Sequence, residues 1–147
     1  VANVNEWIGG FMRQIKFRVP IFDNSGKFLY FSYWGFLERG FAGLTSTNFG
    51  DNGITTAQER SQQFTGLLDE NGKEIYEGDI MEIRFIDGNT RIGSVEWGKT
   101  HTHFYINVVK STDGHTGSHS IGFSGSAVDG KFVIGNIYEN PELLEAL

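Results

Sequence analysis

The chain has 147 residues, a length suited to one domain that buries a core without covalent or metal cross-links. It contains no cysteine, which excludes disulfide frameworks, thiolate zinc sites and cysteine nucleophiles together and agrees with a reducing, cytoplasmic setting. The formal net charge of −6, with no cluster of Lys and Arg, argues against a nucleic-acid backbone as the default partner, and no apolar run approaches the roughly 20 residues of a membrane span.

Aromatic residues make up 14% of the chain, and 20 glycines stand against 2 prolines, which favours twisted β-structure with glycine turns. Residues 1–11 hold one small apolar group, Trp7, Ile8 and Phe11, broken by Gly9 and Gly10; they are expected to form an arm, loosely ordered or docked on a partner. Residues 12–147 are expected to form a single β domain. Its first strand alternates Ile15, Phe17 and Val19 with Gln14, Lys16 and Arg18, the pattern of one buried apolar face. A turn at Asp23-Asn24-Ser25-Gly26 leads to a second strand over residues 27–34, rich in Phe28, Leu29, Tyr30, Phe31 and Tyr33, so the two should form a hairpin. Those aromatics suit core or subunit-interface packing better than base stacking, which needs an electropositive groove.

Residues 35–53 read as an ordered loop or a short extra hairpin. Thr56-Ala57-Gln58-Glu59 matches a capping box and predicts a short helix over residues 57–63. Residues 65–81 then form a corner: Asn71-Gly72 and Gly78-Asp79 supply two reversals ahead of an alternating strand over residues 80–85. Asp69, Glu70, Glu74, Glu77, Asp79 and Glu82 make this the most acidic stretch. It is expected to be a solvated rim in preference to a dock for a basic partner, a cation site or a catalytic pair.

Strands over residues 91–97 and 103–110 complete a meander, with residues 131–138 expected to close it into a small barrel. Among the histidines, His101 and His103 should lie on one side of a strand and His115 and His119 in a Gly/Ser-rich loop, exposed and not ligating. Asp113, His115 and Ser118 or Ser120 hold the letters of a hydrolytic triad without a nucleophile elbow. Residues 111–130 are expected to be a mobile excursion, and they lack the ending of a phosphate loop. Asn140-Pro141-Glu142 starts a short helix whose Leu143 and Leu144 should cover an open barrel end or dock on another copy.

Three separated motifs in order, residues 12–18, residues 64–80 with Phe64-Thr65-Gly66-Leu67 and Glu77-Gly78-Asp79-Ile80, and residues 133–144 with Gly135-Asn136-Ile137-Tyr138, resemble the YopX family of phage and prophage proteins. The resemblance spans residues 12–144. It implies a predominantly β protein related to SH3-type barrels, self-associating and encoded by bacteriophages or prophages, hence located in the cytoplasm of a bacterial host. It implies no activity, and it brings no catalytic, cofactor-binding or metal-binding residues.

The motif residues Thr65, Gly66, Leu67, Gly72, Ile75, Tyr76, Gly78, Asp79, Gly135, Asn136, Tyr138 and Pro141 are therefore read as structural. The glycines suit turns, Leu67, Ile75, Ile80 and Ile83 suit a small barrel interior, and the Tyr76 ring suits burial with its hydroxyl on a polar partner. The expectation is a mainly β fold, a small SH3-like barrel with an additional N-terminal hairpin and short helices. Functionally it is a non-enzymatic, self-associating interaction module with no cofactor and no metal, whose partners are further copies and a phage or host protein. The alternative is a nucleic-acid accessory factor using Arg13, Lys16, Arg18, Lys27 and Arg39.

Overall fold

A computed structural model of the chain describes residues 14–37, 39–44, 60–100, 102–122 and 125–145. The described strands form two antiparallel sheets of five strands each. In the first, β1 (Lys16–Phe22) and β2 (Phe28–Leu37) make the expected hairpin, and β3 (Gly40–Ala42) folds back on the far side of β2. Asp23 closes the first turn because its Oδ1 accepts the backbone N–H of Ser25 at 2.8 Å and of Lys27 at 3.0 Å. On the other flank of β1 lies β4 (Gln62–Leu68), which carries the short β5 (Glu74–Tyr76), giving the order β3-β2-β1-β4-β5.

Two expectations change here. The predicted helix over residues 57–63 lies outside the described residues up to residue 59, and Gln62 and Gln63 are strand, paired with Arg18 and Phe17. Burial on β1 is also not confined to the apolar face. Lys16 and Arg18 are buried while Ile15 is 51% exposed, and of the apolar set Val19 alone is fully buried. The reason is what lies opposite: the Lys16 and Arg18 side meets the β4–β5 hairpin, which supplies carboxylates and rings to receive them.

The second sheet contains β6 (Asp79–Phe85), β7 (Thr90–Trp97), β8 (Phe104–Ser111), β9 (Gly117–Ser120) and β10 (Val128–Asn136), in the order β10-β6-β7-β8-β9. Its inner face gathers Met81, Ile83, Val95, Phe104, Ile106 and Val108 with Ile75 of the neighbouring hairpin, and these form the hydrophobic core. The two sheets are stitched by backbone bonds at the corner: Gly78 N–H to Val95 O at 2.8 Å, Ile137 N–H to Gly78 O at 2.9 Å and Glu70 N–H to Lys131 O at 3.1 Å. At Gly78 a Cβ would lie 1.8 Å from Gln62 Nε2, and φ is +79°, so the corner requires glycine twice over.

The sheet curls without closing into a barrel by strand pairing, since β9 and β10 end the order on opposite sides. The gap is clasped by a side chain: Lys131 Nζ on β10 donates to the carbonyls of Ser120, at 2.9 Å, and Ile121, at 3.2 Å, at the end of β9. The expected mobile excursion over residues 111–130 thus contains β9, paired residue for residue with β8 from Tyr105↔Ser120 to Val108↔Gly117. His103 precedes β8 instead of standing on it, and His101 lies outside the described residues. The C-terminal helix is a single 3-10 turn, Pro141–Leu144, with no buried residue. Leu143 and Leu144 are half-buried in that turn.

Candidate functional site

Charge enters the interior of the first sheet through β1. Arg18, 5% exposed, donates to Asp79 Oδ1 at 2.5 Å and to Gln62 Oε1 at 2.9 Å, and its Cζ lies 4.0 Å from the Phe31 ring centre and 4.7 Å from that of Tyr76. The guanidinium is thus held edge-on by oxygen and face-on by π-systems, the two ways a buried arginine is satisfied. Asp79 commits its other oxygen to the backbone N–H of Tyr76 at 2.8 Å, which ties the Gly78 turn to the same network. Burial pushes the Asp79 carboxyl above its ordinary range even against the attraction of Arg18.

One step along β1, the Lys16 ammonium bonds Glu74 and sits 4.6 Å from the Phe64 ring centre, while the Tyr76 hydroxyl donates to the second Glu74 oxygen at 2.8 Å. Burial, followed by this bond to a carboxylate, raises the Tyr76 phenol far above its ordinary value, so it acts as a donor and not as a base. These groups open on a cleft of about 400 Å³ lined by Lys16, Tyr33, Leu37, Arg39, Glu74 and Tyr76. Burial raises the Tyr33 phenol as well. The seam answers Arg18 with Asp79 and Lys16 with Glu74, which locks the register of β1 against β4 and β5.

A second cleft, of about 350 Å³, lies at the junction of the sheets and is walled by Arg60, Gln62, Glu77, Glu96 and Tyr138. Burial, with a smaller push from Glu96, raises the Glu77 carboxyl. Glu96 accepts from Ser94 Oγ at 3.1 Å, Asn107 Nδ2 at 3.0 Å and Tyr105 Oη at 2.9 Å, so its charge organises the outer face of the second sheet. Among the described residues no group of three or more His, Asp and Glu side chains is gathered to hold a metal ion.

A third feature is a surface. Phe17 and Trp34 stack at 4.3 Å on the face of the first sheet opposite Lys16 and Arg18, and Phe36 meets Phe41 edge-on at 5.4 Å. Leu37 lines the inner cleft with Tyr33, so strand alternation turns Phe36 outward. Ile15, Phe36 and Phe41 stand 51%, 57% and 67% exposed around the Phe17–Trp34 stack, beside β3, which ends the sheet among the described residues.

The family model described as YopX protein matches residues 21–145. The chain belongs to the YopX family. This YopX family member is also similar to the crystal structure of protein EF1440 from Enterococcus faecalis, at 22% identity over 89% of this chain and 98% of that one, with a TM-score of 0.43. No curated protein matches the sequence.

The YopX motif residues fall mostly at joints. Thr65 Oγ1 donates to Ile75 O at 2.8 Å and accepts the Leu67 N–H at 3.2 Å across an irregularity in β4 where Gly66 has φ +86°. Gly72 sits in the turn that Asp69 closes. Asn136 Oδ1 accepts the N–H groups of Tyr138 and Glu139, each at 2.9 Å, and the Tyr138 ring packs edge-on against Phe22 and Phe31. A Cβ at Gly135 would lie 2.6 Å from Asn140 Oδ1, and Pro141 opens the 3-10 turn. Ile75, Ile80 and Ile83 are fully buried, whereas Leu67 is 37% exposed and fills no interior.

The solvated acidic rim requires correction at two positions. Asp69 is 8% exposed and accepts three backbone N–H groups: Asn71 at 2.9 Å, Lys73 at 2.8 Å and, from Oδ2, Val133 at 2.9 Å. Asp79 is 1% exposed. Both carboxylates are buried because backbone donors and Arg18 replace water around them. Sequence reasoning missed the Lys16–Arg18 seam and the Lys131 clasp. A signal for the seam was present: two cations at alternate positions of a strand, and an aspartate heading an otherwise apolar one.

Proposed function

We propose that this YopX family member is a non-enzymatic, self-associating protein-interaction module of phage or prophage origin, acting in the cytoplasm of a bacterial host and contacting a further phage or host protein. The observation that carries the reading is the stripe of exposed Ile15, Phe36 and Phe41 beside β3, where large apolar groups meet water next to the strand that ends the sheet among the described residues. Covering that stripe with a second copy removes apolar area from water and satisfies the edge together. The kinship to SH3-type barrels belongs to the same proposal, with the curled second sheet as its counterpart and the Lys131 clasp in place of a closing ladder.

The test is light scattering at micromolar concentration on the wild type and on the double variant Phe36→Ser/Phe41→Ser. The wild type should show a multiple of 16.4 kDa, and the variant should shift toward the single-chain mass with its fold kept, because both positions are exposed. A strictly monomeric wild type sinks the self-association reading. The nucleic-acid alternative draws less support, because Lys16 and Arg18 of the proposed basic side are buried in ion pairs; Arg13 lies outside the described residues.

A further inference from the structure

The edge strand β9 holds an imidazole where a charged one has no place. His119 stands opposite Ile106, which is fully buried, and its ring meets Phe85 of β6 edge-on at 6.1 Å. Nε2 of His119 and Nε2 of His115, in the segment leading into β9, are buried and have no hydrogen-bond partner.

The charged groups facing His119 are cations: Lys131 of β10, Arg91 of β7 and, on protonation, His115. The acidic residue near this end, Asp113, is engaged by Arg91, whose Nη2 and Nε lie 2.6 and 3.0 Å from its Oδ2. Glu70 acts on Lys131 from the far side of the clasp. Protonating His119 therefore places an N–H without an acceptor and a like charge in one closed spot. Burial, then Lys131 and Arg91, lower its proton affinity below the ordinary value of 6.5, the direction this geometry requires.

The strand that must give way is the weakest in the sheet. β9 has four residues and, among the described residues, pairs on one side alone, with β8; its ends are pinned by the Lys131 clasp and by the Arg91–Asp113 pair. We propose that β9 is an acid-released edge strand: protonation of His119, with His115 beside it, undocks the segment 113–122 and leaves the β8 edge unpaired while β6, β7 and β10 stay folded. This goes beyond the interaction reading above and does not depend on it.

Amide hydrogen exchange of the full chain at pH 7.5 and 5.5, corrected for intrinsic rates, tests it. In the wild type the opening equilibrium of β9 and of its partner amides in β8 should rise by up to about tenfold per pH unit below about 6.5, with β6 unchanged. His119→Gln should abolish that pH dependence. Equal corrected protection at both pH values in the wild type, or an undiminished pH response in His119→Gln, overturns the proposal. Should His119→Gln loosen β6 as well, the wild-type imidazole titration followed by NMR decides. A His119 midpoint below 6.5 that coincides with loss of β9 protection upholds the release, and a midpoint at or above 6.5 refutes it.

Discussion

At the scale of single residues, the molecule is governed by charges placed where water is not. Arg18 and Asp79 are nearly sealed from solvent, so truncating one strands the other. Arg18→Ala should cost about 3–5 kcal/mol at pH 7, read from urea melts. The loss should shrink toward acid pH, because an Asp79 without its cation, already raised by burial, takes up a proton and sheds the stranded charge. Asp113 behaves oppositely, since its hydrogen bonds to Arg91 hold its carboxyl at about 2, below the ordinary 3.8. Its contribution is complete above pH 3.8 and is lost as pH falls through about 2. Asp113→Asn should therefore lie below the wild type in thermal midpoint at neutral pH and meet it near pH 2, as checked by melts across that range.

At the scale of elements, the close approach of strands decides which residues are tolerated. β7 and β8 draw together at Gly93, where a Cβ would lie 2.2 Å from the backbone oxygen of Asn107 and 2.8 Å from the Val108 Cα. Neither neighbour is a side chain that could swing aside, and the site borders the Met81–Val108 side of the core. Gly93→Ala should part the β7–β8 ladder and cost about 1–3 kcal/mol, with the loss of protection concentrated in β8 and β9 when amide exchange is measured. The first sheet illustrates how far strand pattern reaches. The β1–β2 hairpin, its Asp23 turn and the meander from β6 to β8 follow from alternation and turn residues. β9 does not, because Gly117-Ser118-His119-Ser120 has almost no apolar content and becomes a strand by borrowing the edge of β8.

For the whole molecule, the net charge of −6 and the exposed apolar stripe act on different partners. A net negative charge disfavours polyanions, whereas the Ile15–Phe36–Phe41 surface offers area that another protein surface can cover. The proposed association through that stripe would link folding to concentration. The wild-type thermal midpoint should rise with protein concentration, and that of Phe36→Ser/Phe41→Ser should not, in scanning calorimetry over a hundredfold range. The two sheets share one fate, since the β4–β5 hairpin belongs to the first sheet by pairing and to the second by Ile75 and by the Asp69 bond to Val133.

The amino-acid order by itself determined the β class, the turns at Asp23, Gly72 and Gly78, the apolar interior of β6 and the YopX kinship, because each depends on neighbours within a few positions or on residue types read in order. The tertiary structure decided which face of β1 is buried, where Asp69 and Asp79 find their donors, and how Lys131 closes the gap that strand pairing leaves open. Each of those outcomes has a partner distant in sequence: Ile121 lies 10 positions from Lys131, Arg18 61 from Asp79 and Val133 64 from Asp69. A charged side chain goes inside when an opposite charge or a backbone donor is waiting there, and local pattern carries no record of what is waiting.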